Sequence, residues 1–193
     1  MKHASAGTGI DLPATLDSWV GRQRWFAGKG HSPVLQSFGQ WALPTVGSDA
    51  ASGHEAGEDA GDAANVRIHC HLVVDTASRY ATVYQVPLTS RRAPLPDSAP
   101  GALIAQTIGS DGLPRYVYDA PADPAYAAAL LRFMLTEGSV PADRGTLAAR
   151  GNRVIVGEGA GPAGDALAGM HVQSSRVLTG EQSNTSIIMD LVD

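Results

Sequence analysis

The sequence predicts an α+β fold built on antiparallel sheet. Strand-forming runs outnumber helical ones, helices and strands fall in separate runs instead of alternating, and the links between successive strands are hairpin-like. The 193 residues, 44% hydrophobic with 14 basic and 19 acidic side chains, suffice for one or two domains with a true core.

Leu12 to Val20 places Leu12, Leu16, Trp19 and Val20 at helical spacing, with Asp11 to cap the helix and Pro13 tolerated in its first turn. A cationic, aromatic stretch closed by glycines, Gln23 to Gly30, leads into a strand from Val34 to Leu43. Gly47 to Ala64 holds four glycines, six alanines and five acids without an aromatic or β-branched residue, and is expected to be a mobile loop. Val66 to Asp75 and Tyr80 to Leu88 are rich in strand formers and form a hairpin across the turn-like Thr76 to Arg79. The proline-rich Arg91 to Gly101 is loop. Leu103 to Ile108 is strand or helix, Gly109 to Gly112 turns the chain, and Tyr116 to Asp119 is a short strand. Asp123-Pro124 opens a helix running through Glu137, with Leu130, Leu131, Phe133, Met134 and Leu135 toward the core and Gly138 as its stop. Strands return at Val154 to Val156, His171 to Leu178 and Ile187 to Val192. The glycines of Gly157 to Gly169 open no helix and sit in no βαβ unit, so they read as a connection and not a dinucleotide loop.

Composition narrows the function. Lys2 and Lys29 are the only lysines, and no Gly-Lys-Ser/Thr phosphate loop is present. Cys70 is the only cysteine, which excludes an intramolecular disulfide and a cysteine-rich zinc cage, fits a reducing compartment and makes cytoplasm the expected location. Met1 to Asp11 lacks the apolar run of a signal peptide, and no stretch approaches the ~18 apolar residues of a membrane span. The five acids of Gly47 to Ala64 account for the whole formal charge of −5. The neutral remainder lacks the basic footprint that nucleic-acid binding requires.

Four clusters are candidates for chemistry. His69 and His71 flank Cys70 on one face of a strand, but no third or fourth metal ligand accompanies them; two exposed histidines over a core cysteine is the stronger reading. Arg22 to Phe26 suits anions or sugar faces, against the plainer reading that Trp25 and Phe26 anchor the first helix to the sheet. Asp119 and Asp123 read as a turn and a helix cap. Thr179 to Ser186 is a turn between two strands with hydroxyls and free backbone N–H groups, the equipment for covering nucleotide phosphates.

Ser175 to Ile188 (SRVLTGEQSNTSII), with its Glu-Gln-Ser-Asn-Thr-Ser core, resembles the phosphate-loop region of bacterial maltokinases. Gln23 to Gly30 (QRWFAGKG), Tyr84 to Thr89 (YQVPLT) and Tyr118 to Leu131 (YDAPADPAYAAALL) resemble the same family in the same order. The resemblance implies an ATP-dependent kinase of the aminoglycoside-phosphotransferase type that converts maltose to maltose 1-phosphate for α-glucan synthesis. It implies a curved cystatin- or monellin-like cap over residues 1–110 and, over 111–193, an intermediate subdomain forming part of a kinase N-lobe. Gln182, Ser183, Asn184, Thr185 and Ser186 are then the phosphate-contacting residues, with Val177 and Ile187 on the adenine side. ATP and Mg2+ belong to the full-length enzyme, with neither expected tightly bound here, and the acceptor, maltose or another sugar such as glucosamine, belongs to a lobe beyond Asp193. The gripping lysine, the catalytic aspartate and the magnesium ligands of the kinase plan are not in this sequence, so the chain alone is expected to be inactive, with no catalytic and no metal-binding residue of its own. The alternative is a standalone cap that binds a partner such as a trehalose-synthase-like enzyme. The apolar strand Ile187 to Val192, left as an open edge, favours a truncated kinase over that module.

Overall fold

The computed structural model describes residues 12–28, 30–45, 66–78, 81–95, 101–109, 111–136, 138–143, 145–148, 170–178 and 185–192. The first helix, α1 (Leu12–Val20), buries Leu16, Trp19 and Val20, which lie one turn apart on a single face. Each such side chain removed from water contributes roughly 1.5–3 kcal/mol. Backbone turns from Arg22 N–H to Trp19 O and from Gln23 N–H to Val20 O fold the chain back. Phe26 then inserts beside α1, 1% exposed.

The sheet grows from a meander. β1 (Leu35–Leu43), β2 (Arg67–Asp75) and β3 (Thr82–Arg91) run antiparallel in succession. β4 (Leu103–Ile108) and β5 (Pro114–Asp119) form the next hairpin, and β5 pairs with β3. The open choice for residues 103–108 therefore resolves as strand. Gly112, at φ +75°, closes the turn by donating its N–H to Gly109 O. The helix α2 (Pro124–Leu135) follows a 3-10 turn at Ala120–Ala122. β6 (Ser139–Ala142) then adds to the free edge of β1, and β7 (Gly145–Ala148) pairs with β6. The result is a seven-stranded antiparallel sheet in the order β4-β5-β3-β2-β1-β6-β7. β4 and β5, which pair within this sheet, lie on either side of residue 110 in sequence. β8 (His171–Val177) and β9 (Ile187–Val192) form a separate two-stranded sheet packed on α2 and the 3-10 turn.

The two helices cover opposite faces of the large sheet. On one, Leu16, Trp19, Val20 and Phe26 pack against Leu35, Val73, Val86, Leu88 and Val117. On the other, Tyr126, Ala129 and Phe133 of α2 pack against Trp41, Leu43, Ile68, Cys70 and Val140. β1 serves both cores because its alternation is broken once. Ser37 pairs with Val73 and Gly39 with Leu72, leaving Phe38 as an extra residue. Before this bulge Leu35 faces α1, and after it Trp41 and Leu43 face α2.

α2 is held at both ends. The Asp123 carboxylate accepts from Ala125 N–H at 2.9 Å, and its Oδ2 lies 3.0 Å from Arg91 Nε. Gly138 stops the helix as expected, donating its N–H to Phe133 O at 2.9 Å. A Cβ there would come within 2.5 Å of the Phe133 ring. The core face of α2 is Tyr126, Ala127, Ala129 and Phe133; Met134, expected inside, is 39% exposed. The expected strand at Val154 to Val156 and the connections at Gly47 to Ala64 and Gly157 to Gly169 lie outside the described residues. Among the described residues, no helix is long and apolar enough to cross a membrane.

Candidate functional site

β8 and β9 pair from His171 with Val192 to Val177 with Ile187, and Leu178 N–H donates to Ser186 O at 2.9 Å. The arms are thus closed up to the residues that flank the hydroxyl-rich tip. Of the five phosphate candidates, Thr185 is exposed and Ser186 half-buried at the base of the hairpin, while Gln182, Ser183 and Asn184 lie outside the described residues. The described residues contain no group of three His, Cys, Asp or Glu able to hold a metal ion.

A cavity of about 530 Å³ lies at the foot of this hairpin. It arises because β5 pairs only with Leu88 to Arg91 of β3 and ends at Asp119. The preceding half of β3, Val83 to Pro87, has no β5 partner, and Pro87, with no N–H to leave unpaired, stands where the pairing ends. The notch is closed by Trp25, by Pro121 of the 3-10 turn, by Tyr126 and Leu130 of α2, and by Thr185 and Ile187. Trp25 is fixed by an edge contact to Trp19 at 5.9 Å and a tilted contact to Tyr84 at 5.6 Å between ring centroids. The anchoring role expected of Trp25 and Phe26 is therefore observed, and Trp25 also lines the cavity.

Asp119 supplies the cavity's carboxylate. Its backbone N–H donates to Ala102 O at 2.9 Å, but among the described residues no donor reaches its side chain. Burial pushes its carboxyl up from 3.8 to about 6. The Tyr126 hydroxyl is also pushed up, first by burial and then by the neighbouring Cys70 and Asp119. Sequence reasoning took Asp119 for a turn residue and missed this convergence.

The other titratable clusters are structural. Asp75 is fully buried, and burial alone would raise its carboxyl. Hydrogen bonds from His31 Nε2 at 2.9 Å and from Val34 and Ala77 N–H outweigh burial and hold it below the usual carboxylate range. His69 and His71 do share a face, with ring centroids 6.4 Å apart, but the expected exposure does not hold: His71 is only 8% exposed and His69 is half-buried. β2 is a central strand with helix-covered cores on both faces. Burial, reinforced by His69, pushes His71 down to about 4 against the opposing pull of Asp143, and burial and Arg67 lower His69. Cys70, on the opposite face, is pushed up to about 12 by burial despite a hydrogen bond with Trp41.

A helix-flanked antiparallel sheet with a separate strand pair docked on one helix defines an α+β domain, and its candidate chemistry among the described residues lies at the β8–β9 pair and the cavity beside it. Residues 54–123 match the family model described as the maltokinase N-terminal cap domain. The match takes in β2 to β5 and ends at Asp123, the residue that caps α2. The resemblance read at Tyr84 to Thr89 falls inside it, whereas Gln23 to Gly30 and the Glu-Gln-Ser-Asn-Thr-Ser core lie on either side. Over that stretch the chain is similar to a maltokinase N-terminal cap domain. A search of curated proteins finds no match to the chain.

Proposed function

We propose that this chain is the N-terminal region of an ATP-dependent sugar kinase resembling maltokinase, whose full-length form transfers the γ-phosphoryl of ATP to the anomeric hydroxyl of maltose. The product, maltose 1-phosphate, feeds α-glucan synthesis in the cytoplasm. The observation that carries this reading is the match of residues 54–123 to the maltokinase N-terminal cap domain. The antiparallel pairing of β8 with β9, which flank the hydroxyl-rich segment in sequence, supports it. In this reading residues 1–110 form the cap and 111–193 begin the intermediate subdomain. Gln182, Ser183, Asn184, Thr185 and Ser186 contact the phosphates, largely through backbone N–H groups. Mg2+ and the acceptor are held by residues outside this sequence. When bound, ATP supplies the phosphoryl group, and this chain's share is to cover and orient it.

Coupled measurement of ADP release tests the proposal. The full-length enzyme is expected to release ADP with maltose, and replacing Ser183 and Thr185 by Val should raise its ATP requirement. The isolated 193-residue chain should release none, since it has no lysine beyond Lys29 to grip the phosphates. Unchanged ATP dependence in the double variant refutes the phosphate assignment, and release with glucosamine but not maltose assigns a related hexose kinase. A second reading, a non-catalytic cap that binds a trehalose-synthase-like partner, is favoured by the sheet's completing both of its cores within this chain. An inactive full-length protein would support it.

A further inference from the structure

The cavity beside Asp119 has features that neither the sheet nor the proposed phosphate contact requires. Its volume, about 530 Å³, falls in the range of small-molecule sites. Trp25, Tyr84 and Tyr126 bring three aromatic rings to it, while Gln85, Asp119 and Thr185 supply polar groups. No basic side chain appears among the described residues that line it. Among the described residues, the half-buried Asp119 carboxylate at this aromatic-lined cavity thus meets neither a cation nor a hydrogen-bond donor to offset its partial loss of water. Three other aspartates are compensated: Asp75 by His31 and two backbone N–H groups, Asp123 by Arg91 and the α2 N-terminus, and Asp111, in the turn between β4 and β5, by Arg92 and Arg115. A carboxylate without such a partner among the described residues, at a cavity of this size, marks a place where the compensating charge comes from outside.

We propose that this cavity, between the unpaired half of β3, α2 and the β8–β9 hairpin, binds a small organic cation whose ammonium group pairs with Asp119 and whose flat apolar body packs among Trp25, Tyr84 and Tyr126. The ammonium supplies the missing positive charge, and aromatic rings add attraction for a cation that a neutral ligand does not feel. The edge where β5 ends gives the ligand its entrance. Thr185 ties the cavity to the phosphate hairpin, but the inference does not rest on the kinase reading.

The test uses the complete 193-residue chain and two probes of nearly equal shape, benzylamine and benzyl alcohol. Binding is followed by amide chemical shifts of the lining residues. Benzylamine is expected to bind at least about tenfold more tightly than benzyl alcohol, with shifts centred on Trp25, Tyr84, Asp119 and Tyr126. Asp119→Asn, an isosteric change, is expected to bring the two probes within about twofold, whereas Trp25→Leu should weaken both. Equal binding of the two probes by the unaltered chain overturns the proposal, as does the absence of shifts at millimolar probe. Tighter binding of maltose than of benzylamine at these residues also overturns it, and assigns a polyol site instead.

Discussion

Replacing Asp119 by Asn removes a charge that the fold does not compensate while keeping the side chain's shape. Raising the carboxyl from 3.8 to about 6 means that the native state resists the charged form. Below the unfolded value both states are protonated and nothing is lost. Between the two values the unfolded chain gives up its proton while the native chain keeps it, so stability falls as pH rises. Above about 6 the whole penalty is in place. Linkage sets it at about 3 kcal/mol near pH 7.5 and about 1 kcal/mol near pH 4.5. Because Asn carries no such penalty, the variant is expected to be more stable than the parent by an amount about 2 kcal/mol greater near pH 7.5 than near pH 4.5. Urea unfolding of both proteins at the two pH values measures this directly, and the comparison cancels every other titrating group. A stability difference that does not change with pH would show that Asp119 is not isolated, and would refute the reasoning on which the cation site depends.

The remaining predictions concern the supports of the fold. Asp123→Ala takes away the α2 cap and one partner of the buried Arg91, and should cost at least about 1 kcal/mol in urea unfolding; no measurable loss would show that the cap and the pair carry no weight. Asp75→Asn should destabilise the protein near neutral pH and progressively less in acid. The lowered carboxyl contributes stability that is present above the unfolded value and lost as pH falls through the folded one. Gly138→Ala forces a methyl group against the buried Phe133 ring and should cost about 1–3 kcal/mol, seen as a lower Tm. Cys70, buried and pushed up to about 12, should resist a thiol reagent in the folded protein at pH 8 and react fully in denaturant; rapid labelling of the folded chain would contradict its burial.

Local pattern made much of this architecture legible. The spacing of Leu16, Trp19 and Val20 marks α1, Asp123-Pro124 and Gly138 bracket α2, and the β-branched runs on either side of Thr76 mark the β2–β3 hairpin. β6 and β7 escaped because each is four residues long, with Pro141 in one and Gly145 opening the other. They become strands because α2 delivers the chain to the free edge of β1, where Asp143 N–H reaches Gln40 O. The burial of His71 was hidden for a related reason: alternation shows which side chains share a face, not whether a helix covers it. The strands flanking Thr179 to Ser186 were legible as a pair, and the described structure shows them paired antiparallel as β8 and β9. The cavity had no local signature, since Trp25, Tyr84, Asp119, Tyr126 and Thr185 meet only after five separate elements have assembled.

The single extra residue at Phe38 also determines how this domain can change in length. A strand without it would turn the same side chains toward one helix throughout, so removing Phe38 is not a trimming of surface but an exchange of inside and outside for half of β1. Length variation among related chains should therefore spare this one position while the links between strands grow and shrink. A designer grafting this domain onto another protein would have to carry the irregularity along with the sequence around it.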